Sequence, residues 1–421
     1  MSLKKTSSLT FIFLTVLIDV IGLGVIIPVL PKLISSLSHQ DISHAASYAA
    51  LLLPTYALMQ FVCSPIIGGL SDRYGRRPIL LISLLGFGLD YIFQAFAPTI
   101  GWLFLGRALA GITGASFTTA SAYIVDISKP EKRAQNFGVL YSAFGVGFII
   151  GPLIGGVASD WGIRAPFLVA GGLSLLNFLF GLFILPESLK KENRRPFDWK
   201  RANPLGSLMH LRKYPLVSGL VISIVLINLA SHAVQSNWGF YTMFKFKWTV
   251  KMVSYSLVVV GMLTVIVQAG LIRFITPKLG VKRSVYWGFA CYGVGMLLFA
   301  LAGESWMMFA ILIIYCFGGI GMPALQGVIS GQVPANAQGE LQGALTSLMS
   351  VTSIFGPLMM NSLFSYFSRK TAPIYLPGAP FYAAAIMMVG ALGFAMYYLK
   401  RRMPAAEKAS MEAIDAVPLS H

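Results

Sequence analysis

The chain has 421 residues, 56% of them hydrophobic and only 11% charged, and its mean hydropathy is +0.73. A water-soluble domain carries about 25% charged residues, so the composition excludes a soluble globular protein. The formal net charge of +17 is spread through short turns rather than gathered on one foldable face, which excludes a nucleic-acid-binding surface, and strand-like alternation is absent, which argues against a barrel.

Apolar segments of about 20 residues, the length a helix needs to cross a bilayer, recur along the chain. They fall at 9–31, 45–68, 78–97, 100–125, 135–158, 163–186, 214–236, 252–275, 284–303, 305–327, 340–364 and 379–399, which predicts twelve transmembrane helices and an all-α membrane protein. The first follows Lys4 and Lys5 as a signal peptide would. It carries Asp19 mid-span, however, runs on to Pro28-Val29-Leu30-Pro31 and lacks a small-x-small cleavage site, so it is expected to be retained. A charged turn, Gly68-Gly69-Leu70-Ser71-Asp72-Arg73-Tyr74-Gly75-Arg76-Arg77, separates the second and third spans. The one long polar interruption divides six spans from six. The expected organisation is therefore a six-helix bundle over 1–186, a cytoplasmic linker over 187–213, a second six-helix bundle over 214–402 and a disordered tail over 403–421.

With the N-terminus inside, 24 of the 32 Lys and Arg fall in cytoplasmic segments, seven in external ones, and Arg107 within a span. This bias predicts a multi-pass protein of the cell (inner) membrane with both termini in the cytoplasm. Cys63, Cys291 and Cys316 all lie in spans, without the spacing of a disulfide framework or a metal site. The five histidines are scattered and no HExxH or GxSxG context occurs, so no enzyme is expected.

The halves look like weak copies of each other. Gly151-Pro152 in span five is echoed by Gly356-Pro357 in span eleven, and Gly111-Ile112-Thr113-Gly114 in span four by Gly318-Gly319-Ile320-Gly321 in span ten. The turn at 68–77 has a degenerate counterpart in Pro277-Lys278-Leu279-Gly280-Val281-Lys282-Arg283. Duplicated six-helix halves are the architecture of secondary transporters.

A charge within a span costs about 2.5–3.5 kcal/mol or more, so Asp19, Asp90 and Arg107 are the leading functional candidates. Asp19 lies mid-membrane, Asp90 about 18 Å along span three and Arg107 about 10 Å into span four from the opposite side, depths that Asp90 and Arg107 can share. Each carboxylate has two readings, proton coupling or substrate binding on one hand and a structural hydrogen bond on the other. Arg107 keeps its proton; it either tunes a nearby carboxylate or ties spans one and four through backbone carbonyls. In the charged turn, Gly68 and Gly75 permit close packing and a tight reversal. Asp72 can face a helix N-terminus or Arg76, which suggests a cytoplasmic latch; plain surface anchoring by Arg73, Arg76 and Arg77 is the alternative. Gly147, Gly151, Gly155 and Gly156 give span five a small-residue face, with a hinge expected at Pro152. Gln60, Gln94, Asn228, His232, Gln235, Asn237, Tyr292 and Gln326 are the uncharged candidates for a substrate path, each also explicable as a packing contact.

The turn Gly68-x-Leu70-Ser71-Asp72-Arg73-x-Gly75-Arg76-Arg77-x-x-Leu80 resembles the loop signature between spans two and three of the major facilitator superfamily, with Ser71 in place of the usual Ala. Leu103-Phe104-Leu105-Gly106-Arg107-Ala108-Leu109-Ala110-Gly111 resembles its span-four arginine motif, and the stretch from Gly147 to Gly156 resembles the span-five motif of drug/proton exchangers. Tyr56-Ala57-Leu58-Met59-Gln60, Leu89-Asp90-Tyr91, Met322-Pro323-Ala324-Leu325-Gln326-Gly327 and Gly339-Glu340-Leu341-Gln342-Gly343 are similar to the tetracycline/proton antiporters. The resemblance spans residues 10–400 and departs at Tyr292, where that group usually carries an acid. It implies a monomeric twelve-helix antiporter in the lipid bilayer that exports tetracycline or related amphiphilic drugs, free or as a divalent-metal chelate, using protons and no cofactor. A different hydrophobic drug or metabolite, which Tyr292 favours, and a non-transporting receptor are the alternatives.

Overall fold

The computed structural model describes residues 2–114, 116–128, 133–194, 215–331 and 338–401. The tail 403–421 and the linker from 195 onward lie outside them. All regular structure among the described residues is helical, as an apolar medium requires, because each backbone N–H and C=O must find its partner within its own segment.

In chain order the first helices are α1 (Ser2–Ile26), α2 (Leu30–Ser38), α3 (Ile42–Tyr74), α4 (Arg76–Ala95), α5 (Ile100–Thr113), α6 (Ser116–Ile127), α7 (Arg133–Ala158) and α8 (Ala165–Ile184). After the linker come α9 (Pro215–Gln235), α10 (Trp238–Phe246), α11 (Val250–Val265), α12 (Ile272–Leu279), α13 (Val281–Leu301), α14 (Ser305–Phe317), α15 (Gly321–Gly331), α16 (Gln338–Phe367) and α17 (Ala379–Arg401). Among the described residues ten helices are long and apolar enough to cross a membrane, and α9 with α10, bent by 44° at a short break, make an eleventh.

The expected fourth span is divided into α5 and α6. Gln60 reaches across from α3 and donates to the Gly114 carbonyl at 2.8 Å, taking that oxygen where α5 ends. Other departures from the expected spans are equally local. The first span stops at Ile26, and Pro31 in the first turn of α2 starts a new short helix. The eighth contains a π-helical segment at Ile266–Leu271, and a 3₁₀ turn at Gly318–Ile320 interrupts the tenth. The two echoed turns share one backbone device: Gly75 and Gly280 precede α4 and α13 with φ of 107° and 78°, a region that side chains disfavour.

The residues form two compact units, Met1–Pro204 with Thr242–Gly261, and Leu205–Tyr241 with Met262–His421. The first unit takes residues 242–261, which the sequence places with the second bundle. Within it, Lys251 pairs with Asp160 at 2.7 Å, and a Cβ at Gly156 would stand 2.8 Å from the Ser254 side chain.

Glycine decides how closely helices of the first unit approach. A Cβ at Gly147 would stand 2.8 Å from Val20 Cβ, and one at Gly151 would stand 2.7 Å from the Gly24 Cα. Gly155 faces the Val25 carbonyl in the same way. The small-residue face of α7 therefore seats α1, the helix that carries Asp19. Pro152 sits inside an unbroken α7, its ring turned toward Gly24.

At the start of α3, the Asp41 carboxylate accepts from the His44 backbone N–H at 2.9 Å and from Ser43 at 3.0 Å. Partial burial raises this carboxyl, but the His44 backbone bond and the His44 and Ser43 side chains outweigh it and leave it below the usual value. Its stabilisation is therefore complete above the unfolded-state value and is lost as pH falls through the lowered folded value. Asp41→Ala is expected to cost about 1 kcal/mol at neutral pH. In thermal unfolding of the detergent-solubilised protein, its difference from wild type should vanish in strong acid.

Candidate functional site

Three helices of the first unit bring the intramembrane charges together. Asp90 and Gln94 are four residues apart on α4 and so share one face. Gln94 Nε2 donates to Asp90 Oδ2, and Gln94 Oε1 accepts from Arg107 Nη2 of α5 at 2.8 Å. All three are buried, at 5%, 1% and 6% exposure for Asp90, Gln94 and Arg107. The arrangement has only one amide orientation, because a carboxylate only accepts and a guanidinium only donates. Gly106 makes room for it: a Cβ there would stand 2.8 Å from Asp90 Oδ1 and 2.9 Å from Gln94 Cγ. Asp90 and Arg107 thus share a depth, as their positions along the spans suggest. Arg107 ties spans three and four, not one and four, because its partner is the Gln94 side chain on α4.

Asp19 lines a cavity of about 290 Å³ in the same unit, with Tyr56 and Gln60 of α3, Phe87 and Tyr91 of α4, and Phe144 of α7. Both Asp19 oxygens are shielded from solvent. Gln60 Nε2 donates to the Tyr56 hydroxyl at 3.1 Å as well as to Gly114. The Tyr56 and Tyr91 phenols lie within electrostatic reach of Asp19, Asp90 and Arg107 alike, so the cavity and the buried charges are one polar region in an apolar surround. Such a space is at the lower end of small-molecule sites. It presents a carboxylate, two phenols and an amide to whatever enters.

The charged turn forms a separate cluster. Arg76, 8% exposed, bonds Ser71 Oγ at 2.5 Å, Asp72 at 2.5 Å and Asp126 of α6 at 3.2 Å. Asp126 also accepts from Ser188 at 2.9 Å. The helix N-terminus that the sequence offered to Asp72 is taken by Glu187, whose carboxylate accepts the backbone N–H groups of Arg76 at 2.9 Å and Arg77 at 3.3 Å. Arg77 donates to the Leu182 carbonyl at 2.7 Å. Arg73 lies over the Tyr74 ring, 5.1 Å from its centroid, and Gly68 has open space around it. These contacts tie α3, α4, α6 and the end of α8 within the first unit.

The remaining candidates belong to the second unit. Asn228 donates to Ile224 O at 2.8 Å and Gln235 to Ser231 Oγ at 3.0 Å, both along α9. His232 is buried against Gly356, Asn237 is fully buried, and Gln326 is half-buried on α15. Tyr292 shares a 2.9 Å hydroxyl–hydroxyl bond with Tyr315, their rings 4.7 Å apart. Sequence reasoning missed Glu187 and Asp126 beside the turn and Phe87 and Phe144 around the cavity, and it quoted Tyr56 and Tyr91 only as parts of motifs, without a place in a site. The acids carried a signal in standing just past the ends of their spans, and Tyr56 and Tyr91 in standing within motifs; Phe87 and Phe144 carried none, because rings on membrane helices mostly pack.

The profile of the Major Facilitator Superfamily matches residues 12–280 and 245–420. The class C tetracycline resistance protein of Escherichia coli is 41% identical over 363 residues, covering 86% of this chain and 91% of that protein. The class H protein of Pasteurella multocida is 36% identical, covering 90% and 95%. Among solved structures, a bacterial homologue of the human lysosomal transporter Spinster, inward-facing and unoccupied, superposes with a TM-score of 0.75 over 96% of this chain and 99% of its own, at 16% identity.

The turn yields a stability test. A Cβ at Gly75 would collide with the Glu187 carboxylate, on a backbone conformation that side chains rarely adopt. Gly75→Ala is expected to cost about 1–3 kcal/mol from the backbone alone, with the collision added. Removing Glu187 relieves only the collision, so Gly75→Ala with Glu187→Ala should be less destabilised than the sum of the single variants.

Proposed function

The chain belongs to the major facilitator superfamily, and we propose that within it this protein exports tetracycline or a related amphiphilic drug in exchange for protons, by alternating access. The observation that carries the reading is the buried Asp90–Gln94–Arg107 bridge beside the Asp19 cavity. A charge cluster in an apolar bundle is costly, and proton exchange supplies a reason for it. The identity to tetracycline resistance proteins along most of the chain selects the drug.

In the cycle, a proton neutralises Asp90 or Asp19, the site loses its hold on the drug, and the protonated carrier returns. Arg107 keeps its charge throughout and sets the field in which the carboxylates exchange protons. The bias of Lys and Arg favours both termini in the cytoplasm, and the protein works in the inner membrane as a monomer. The drug enters as a divalent-metal chelate or as the free compound, and the protein itself needs no cofactor.

One observation favours a second reading. Tyr292 and Tyr315 form a neutral hydroxyl pair where tetracycline antiporters usually hold an acid, which suits a different hydrophobic drug or metabolite. Expression in an efflux-deficient host should raise tolerance to tetracyclines alone; tolerance confined to other amphiphiles selects the second reading. Asp90→Asn should remain in the membrane and abolish proton-driven export in everted vesicles. Undiminished export by that variant would remove Asp90 from the mechanism.

A further inference from the structure

We infer that Gln94 is a positioning residue through which the protonation state of Asp90 reaches Arg107. The inference rests on proton-linked export and adds a named intermediary to it. No direct ion pair joins Asp90 to Arg107 among the described residues; the carboxamide stands between them, donating to one and accepting from the other. A direct pair would lock the two charges together. The amide instead transmits a change on one partner to the other through two hydrogen bonds, since bonded dipoles polarise one another where the dielectric is low.

Protonation falls on one atom. Asp90 Oδ2 is held by Gln94, while Oδ1 is buried without a hydrogen-bond donor. A proton given up by hydronium forms an O–H bond at Oδ1, and the charge on Asp90 falls from −1 to zero. The bond from Gln94 Nε2 then ends on a neutral acid rather than a carboxylate, and a bond to an ionised acceptor is about twice as strong as a neutral one. Gln94 Oε1, less polarised, holds the Arg107 guanidinium less firmly, and the tie between α4 and α5 loosens when the proton arrives.

The groups that act on this bridge are few. Arg107 faces Asp90 from α5, and the phenols of Tyr56 on α3 and Tyr91 on α4, which also feel Asp19 of α1, lie within reach of both charges of the bridge. From α8, Gly171 and Leu175 pack against α4 and bring no charge. Gly106, which clears the space that Asp90 and Gln94 occupy, serves the same bridge.

Purified wild type, Gln94→Leu and Gln94→Glu in proteoliposomes test the inference with tetracycline as the probe. Uphill export under an imposed pH difference is compared with drug exchange at equal pH on both sides. Gln94→Leu is expected to lose uphill export about tenfold or more, the worth of one hydrogen bond to a charged group, with a several-fold smaller loss of exchange. Gln94→Glu keeps an acceptor for Arg107 but has no donor for Asp90, so the same split is expected; it answers the question if Gln94→Leu fails to insert. In parallel, infrared titration of the drug-free protein follows the protonated carboxyl band assigned by its absence in Asp90→Asn. Its midpoint in Gln94→Leu is expected to move by about one pH unit. An unmoved band, or equal losses of export and exchange, reduces Gln94 to helix packing and overturns the inference, as does a variant that exports uphill with the wild-type pH profile. If wild type itself moves no tetracycline, the drug reading fails, and the infrared titration still judges Gln94.

Discussion

A guanidinium cannot be neutralised by giving up its proton, so placing Arg107 in an apolar bundle forces the surroundings to answer a permanent positive charge. The first unit answers with the face of α4 that carries Asp90 and Gln94. Much of that unit's packing follows. Gly106 must lack a side chain for α4 and α5 to close on the bridge, and Gly111 lets α5 reach the α3 backbone at Tyr56. Tyr56 in turn brings the wall of the Asp19 cavity into electrostatic contact with the bridge. The polar region is sustained by close helix approach, and close approach is sustained by glycine.

The two units divide polar chemistry unequally. The first holds the buried carboxylates and the arginine. Among the described residues of the second, the acids are Glu304, just before α14, and Glu340, in the first turn of α16. At its middle a pair of tyrosine hydroxyls satisfies itself, and Phe299 and Trp238 continue the ring contacts from there at centroid spacings of 5.6 and 5.0 Å. Hydroxyl pairs and ring edges hold helices together without a titratable charge. The carboxylates buried within spans, among the described residues, therefore lie in the first unit.

The spans were legible because about 20 apolar residues in a row have few other uses, and Asp19, Asp90 and Arg107 stood out because charge there is costly. Asp90 with Arg107 could be paired by depth alone. Gln94 could not be given its place, since an amide one turn beyond Asp90 reads equally as a substrate contact. Asp72 illustrates the same limit. Its sequence admits a helix N-terminus or an arginine as partner, and the choice went to Arg76 because Glu187, 111 positions from Arg76, already occupies that N-terminus.

The sequence by itself determined the membrane class, the helical periods, the family signature and the residues whose burial demands an explanation. These are consequences of local chemistry: hydropathy, charge and backbone freedom act over a helical turn or a span. Only the tertiary structure decided which polar groups meet. It set Gln94 between Asp90 and Arg107, Glu187 beneath α4 and Tyr292 against Tyr315, and it split the fourth span where Gln60 claims the Gly114 carbonyl. The physical reason is range. A hydrogen bond is made or lost within a few tenths of an ångström, and that distance is fixed by how far neighbouring helices can approach, which no single segment encodes.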